Sequence, residues 1–103
     1  MIILNGNIII VDSKRATLDD KMHFERAVIT LIQSGTKSIS IDLSKTVYLP
    51  SEMMGFMMWK KKELVDIKID FKISAINSSL KKIFDNAMLS QFFEIDINTE
   101  VTE

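Results

Sequence analysis

No cysteine occurs in the chain, which excludes a disulfide framework, a thiolate nucleophile and a thiolate metal site together. Histidine occurs once, so an imidazole-based metal site would need carboxylates for nearly every other ligand. One proline and three glycines leave no material for a flexible or Pro-rich linker, and neither internal repeats nor low-complexity segments are present. There is no excess of basic charge, thirteen Lys and Arg standing against fourteen Asp and Glu for a formal charge of -1. Nothing is left over to neutralise a phosphate backbone or an anionic bilayer, so nucleic acid is not an expected partner. A run of about 20 apolar residues is also missing, as is a charged leader with an apolar stretch. The expectation is a cytoplasmic protein with no direct membrane insertion.

What is present is the composition of a globular domain, 47% hydrophobic and 26% charged. At 103 residues two cores would each be too small, so a single domain over 1–98 with a polar tail at 99–103 is expected. Ile2 to Leu4 and Ile8 to Val11 are β-branched runs split by Asn5-Gly6, the signal of a hairpin. The second run is apolar throughout and predicts a strand covered on both faces. Thr17, with Asp20 three residues on, caps a helix to about Ser34, with Phe24, Ala27, Val28, Leu31 and Ile32 at helical spacing and Gly35 as its stop.

Ser38 to Leu43 alternates as a strand, with Ile39, Ile41 and Leu43 on one face. Pro50-Ser51-Glu52 opens a second helix to about Leu64, Ser51 being placed to cap it and Glu52 to complement its dipole. Ile67, Ile69, Phe71 and Ile73 alternate as a further strand. A short helix follows from Asn77 with Leu80, Ile83 and Phe84 inward, and Phe92 to Ile97 reads as the last strand. The order ββαβαβαβ predicts an α/β fold, a small mixed and mainly parallel sheet of about five strands with helices mostly on one face.

The residues around position 51 carry a resemblance. Ile41-Asp42-Leu43-Ser44 followed by Val47-Tyr48-Leu49-Pro50-Ser51-Glu52-Met53-Met54-Gly55 is similar to the STAS family, in which a strand ending Asp-Leu-Ser precedes Asp-Ser-Ser/Thr-Gly-Leu-Gly at a helix start. Later stretches, Ile73 to Asn77, Leu80 to Phe84 and Met88 to Phe93, resemble that family's last strand–helix–strand unit. The family includes bacterial anti-sigma factor antagonists and the cytoplasmic tails of sulfate transporters. The resemblance implies that Ser51 is the phosphoacceptor for a serine-kinase anti-sigma factor, with Asp42 and Gly55 supporting the motif. Pro50, Glu52 and Met53 depart from it, standing where the family has Asp, Ser/Thr and Gly. Glu52 beside Ser51 would repel an added phosphate and lends the unmodified site a fixed negative charge.

Met53 to Trp59 reads Met-Met-Gly-Phe-Met-Met-Trp, apolar in every direction around nearly two helical turns. One sheet cannot cover all of it. Core packing with Gly55 permitting close approach is one reading; a docking surface is the other, since contiguous exposed apolar area marks interfaces and tryptophan anchors them. The partner-binding set on this reading is Tyr48, Pro50, Ser51, Glu52, Met54, Met58 and Trp59, and a homodimer is a second use of the same surface. Lys60-Lys61-Lys62 reads as a solvated face suited to the helix C-terminus.

No catalytic residue is assigned, because Ser51 lacks an evident base and His23 belongs to the flank of the first helix. Nor do the carboxylates predict a metal cage, and no cofactor is called for; Asp42 is expected to bond backbone N–H groups in the turn after its strand. The leading expectation is a non-enzymatic anti-sigma factor antagonist that binds through loop 47–52 and helix 51–64. A constitutive STAS subunit of a larger assembly, such as a lipid-transport complex, is the alternative, and a small-ligand module is a third reading with no pocket residues to support it.

Overall fold

A computed structural model describes residues 1–95 and 99–101. Its elements are β1 (Ile2–Asn5), β2 (Ile8–Val11), α1 (Leu18–Gln33), β3 (Ser38–Leu43), α2 (Ser51–Asp66), β4 (Asp70–Asn77), α3 (Ser78–Asn86), α4 (Leu89–Phe92) and β5 (Glu100–Val101). One five-stranded sheet runs β1-β2-β3-β4-β5, antiparallel only between β1 and β2. The α/β class and the mixed, mainly parallel sheet are as the alternation of strand and helix patterns predicts.

One sheet face is the core. Ile9, Val11, Ile39, Ile41, Leu43, Phe71, Ile73 and Ile76 are buried there in one cluster with Phe24, Val28 and Leu31 of α1, Met53, Met57 and Leu64 of α2, and Leu80 and Phe84 of α3. The opposite face carries Ile8, Ile10, Asp42, Lys72 and Ser74, all partly or fully exposed. The expectation that β2 is covered on both faces is therefore wrong. Its all-apolar run places Ile8 and Ile10 half-buried on the uncovered side, and the helices gather on the other.

α1 is closed at both ends by its own sequence. Asp20 N–H donates to Thr17 Oγ1 at 3.1 Å while Thr17 N–H donates to Asp20 Oδ2 at 3.0 Å, a reciprocal capping box. At the far end Gly35, at φ +84°, and Thr36 donate to Ile32 and Leu31 carbonyls at 3.1 and 3.4 Å. This Schellman geometry needs the left-handed conformation that glycine adopts without penalty.

Burial by itself raises the Asp20 pKa. Hydrogen bonds from the Thr17 N–H, the Met1 amino group and Ser13, with the attraction of that amino group, outweigh it and hold the carboxyl below its ordinary value. A depressed folded-state pKa stabilises above the unfolded value of about 3.9 and stops doing so as pH falls through the folded one. Stability measured by urea denaturation should fall as pH drops below about 4, and Asp20→Asn should flatten that part of the profile. An unchanged slope in the variant would remove Asp20 from the acid response.

Several boundaries differ from the sequence reading. α2 continues to Asp66, leaving Ile67 as an exposed cap residue, so β4 starts only at Asp70. A bulge between Ile41/Asp42 of β3 and Ile73/Ala75 of β4 then resets the alternation, which is why Ile76 and not Ala75 joins the core. Ile83 is 39% exposed instead of inward, because α3 is a short amphipathic helix of about two and a half turns resting on Leu80 and Phe84.

Among the described residues, Phe92 to Ile95 do not form the expected strand. Leu89 and Phe93, four residues apart, are both buried, and Phe93 packs on Phe84 with ring centroids 6.2 Å apart, so the chain coils into α4 there. Residues 96–98, the rest of that expected strand, lie outside the described residues. The last strand, β5, falls inside the segment 99–103 expected as a tail, and pairs with β4 through Ile76↔Glu100 and Asn77↔Val101.

Candidate functional site

The three parallel strands β2, β3 and β4 end together, and the connections leaving them form the edge where α/β sheets place functional groups. Two of these loops are stitched to each other. Val47 N–H donates to Lys14 O at 2.8 Å, Ala16 N–H to Tyr48 O at 3.0 Å, and Arg15 and Tyr48 form an isolated parallel bridge. Below them Thr46 is fully buried, its hydroxyl donating to Val11 O at 3.0 Å, and Leu49 fills the core. The loop before α2 is thus held in place by backbone and core contacts.

Asp42 does what a strand-end aspartate does locally: its Oδ1 accepts from Ser44 N–H at 2.9 Å and shapes the turn toward position 51. Tyr48 is exposed, with the Arg15 guanidinium 4.8 Å above its ring centroid. Pro50 is buried and serves as the N-cap, its carbonyl accepting from Met53 and Met54 N–H at 3.0 and 3.2 Å. Ser51 is the first helical residue and not the cap, correcting the expected capping role, and no side-chain cap hydrogen bond is made at this terminus. Ser51 and Glu52 are both exposed.

α2 sorts its apolar residues by angle. Met53, Met57, Lys60 and Leu64 form the buried face, Met54, Phe56 and Met58 are half-buried beside it, and Ser51, Glu52, Gly55, Trp59 and Lys62 face outward. Trp59 is 59% exposed. Its ring stands edge-on to Phe56 at 6.4 Å, and Phe56 in turn meets buried Phe24 of α1 at 6.0 Å. The tryptophan is therefore held on one side and open on the other, while Met54 and Met58 contribute only their outer edges.

The lysine run is not a uniformly solvated face. Lys60 is buried, with Nζ 2.8 Å from Glu63 Oε1 and within cation–π reach of Trp59 and Phe56 at 4.9 and 5.6 Å. Lys61 donates to Phe71 O at 3.0 Å, which leaves Lys62 as the exposed member. Long alkyl stems allow this, covering apolar surface while the ammonium finds a partner.

Close packing at Gly55 is likewise not found, since a Cβ there would meet nothing within 4 Å. Gly55→Ala should stabilise the fold by about 0.5–1 kcal/mol, by removing backbone entropy from the unfolded chain at an exposed helical position. Denaturant titration checks this, and a loss of stability would show that the space above Gly55 is not open.

Sequence reasoning missed two features. Leu18, Met22 and Ile29 are exposed on α1, at 58%, 48% and 48%, as a second apolar stripe turned away from the core set. Their spacing of four and seven residues was a readable signal. The second is a groove of about 340 Å³ lined by Lys61, Lys62, Val65, Asp66 and Phe92. It opens at the other end of α2, Lys62 being about 16 Å along the axis from Ser51, so it is not part of the loop 47–52 surface.

His23 lies half-exposed on α1, its Nδ1 3.7 Å from Asp19, and the structure brings no base to Ser51 from it. Among the described residues no group of three or more His, Asp or Glu gathers as a metal ion would require, and no helix is long and apolar enough to cross a membrane. No family model matches the chain, and no curated protein and no solved structure matches it either.

Proposed function

We propose that this chain is a STAS-type protein-binding module without catalytic activity of its own, acting in the cytoplasm as an anti-sigma factor antagonist. Loop 47–52 and the outer face of α2 capture a kinase-type anti-sigma factor, and phosphorylation of Ser51 releases it. The observation that carries this reading is the position of Ser51: exposed in the first turn of α2, with Tyr48 and Glu52 exposed beside it and Trp59 on the outward face two turns along.

A hydroxyl in this position is open to a kinase. Added phosphate brings about −1.5 to −2 charge, which the helix N-terminus tolerates within the free protein. At an interface built on Trp59 and the edges of Met54 and Met58 the same charge must be desolvated next to Glu52, and this opposes the complex. The switch therefore works by destabilising the bound state, with the fold untouched.

Affinity capture of the protein from its own cells, with Ser51→Ala and Ser51→Asp variants and the mass of the Ser51 peptide, tests the reading. An ATPase of the kinase type should be recovered by the wild type and by Ser51→Ala, lost with Ser51→Asp, and accompanied by phosphate on Ser51. Equal recovery by all three, with Ser51 unmodified and a membrane-transport protein as the partner, would overturn it. The chain would then be a constitutive subunit of a larger assembly, a role that the fixed charge of Glu52 suits.

A further inference from the structure

One edge of the sheet is the β1–β2 hairpin. In the β1–β2 hairpin the register is Ile2↔Val11, Ile3↔Ile10, Leu4↔Ile9 and Asn5↔Ile8, and Met1 and Asp12 exchange both backbone hydrogen bonds at 2.8 and 3.3 Å. Hydrogen-bonded and open pairs alternate along an antiparallel ladder, so Ile3 and Asn5 direct their N–H and C=O groups to β2. Those of Ile2 and Leu4 point away from the sheet, and β1 is its terminal strand.

Natural edge strands are guarded by charged side chains, proline or bulges. β1 has none of these: its residues are Ile, Ile, Leu and Asn, and its register with β2 is regular. Leu4 is exposed on the helix-bearing side, and Ile3 lies half-buried on the uncovered side next to Ile10.

We propose that β1 is a self-association edge, through which two copies of this chain pair antiparallel about a twofold axis at Ile3. In that register Ile2 of each copy faces the partner's Leu4, and each such pair exchanges two backbone hydrogen bonds, because these are the residues whose groups point outward. Ile3 meets the partner's Ile3 on the axis, extending the Ile3/Ile10 pair into one apolar row on the open face. Leu4 is covered by the partner's Ile2 on the other face. The occupant is a second copy because this short apolar segment is complementary to itself in both backbone and side chains. Two five-stranded sheets become one of ten strands, while α2, which packs on β4 away from β1, stays open. So short a pairing falls below the about 1,200–2,000 Å² of a standard interface, which makes the dimer weak and exchanging.

Sedimentation equilibrium of the full chain at concentrations up to about 1 mM, the weak end of the affinity scale, tests this. The wild type should associate to a dimer, and Leu4→Lys, at an exposed position, should weaken that by about tenfold or more. Ile3→Lys and Ile3→Glu should each be monomeric, since like charges then meet on the axis, and mixing the two should restore a heterodimer. Circular dichroism establishes that each variant is folded, and Leu4→Lys decides if the Ile3 variants are not. A wild type that stays monomeric throughout, a dimer unaffected by Leu4→Lys, a mixture that associates no better than its folded components, or a dimer dissolved by Trp59→Ala alone would overturn the proposal.

Discussion

Phe24→Ala should destabilise the protein by about 3–5 kcal/mol, the range for truncating a buried aromatic ring. Phe24 is fully buried in the centre of α1, and its ring meets Phe56 of α2 edge-on at 85°. It therefore joins the two helices to each other as well as α1 to the sheet. Domains of this size have about 5–15 kcal/mol in total, so the loss leaves little in reserve. At roughly 4–8 °C per kcal/mol the melting temperature should fall by at least about 12 °C. Phe24→Leu keeps most of the buried volume and should recover more than half of the loss. Urea denaturation followed by far-ultraviolet circular dichroism measures both variants. A cost below about 1 kcal/mol for Phe24→Ala would show that the α1–α2 junction repacks without the ring.

Met57 and Trp59 should separate folding from binding on one helix. Met57 is fully buried, so Met57→Ala should cost about 2–5 kcal/mol of stability. Trp59 is mostly exposed and touches only Phe56 and Lys60 among the ring contacts of α2, so Trp59→Ala should cost no more than about 1 kcal/mol. If the outer face of α2 is the docking surface, the same Trp59→Ala should weaken partner binding by about 30-fold or more, as loss of a tryptophan anchor does. Thermal melts and titration of the captured partner read the two effects independently. Binding unchanged by Trp59→Ala would move the interface off this face and toward the Leu18, Met22 and Ile29 stripe of α1.

Legibility along the chain followed how local the cause was. The capping box at Thr17 and Asp20, the Gly35 stop and the alternation of Ile39, Ile41 and Leu43 could all be read directly, because each depends on residues within one turn or one pleat. The hairpin was read too, but its turn is Gly6-Asn7 and not Asn5-Gly6, Asn5 closing β1 opposite Ile8. Asp42 was legible for the same reason, since its partner Ser44 is two residues away. Ser51 was legible as a helix start but not as its cap, because Pro50 supplies the extended residue before the helix and leaves Ser51 inside it. Phe92 failed as a strand residue because adjacent aromatics suit a strand, whereas the i, i+4 pair Leu89 and Phe93 needed Phe84 beneath it to decide for helix.

The sequence alone determined the class of fold, the order of most elements and the existence of an apolar surplus on α2, for those follow from periodicity and from how many apolar residues one helix carries. Tertiary structure alone decided which residues form that surplus. Met53 and Met57 went inside, Trp59 stayed out, Lys60 was buried against Phe56, Trp59 and Glu63, and Ile8 and Ile10 were left on an uncovered face. The reason is that burial depends on what stands opposite a side chain, and for a helix apolar all round only the sheet and the neighbouring helix choose the face that turns inward.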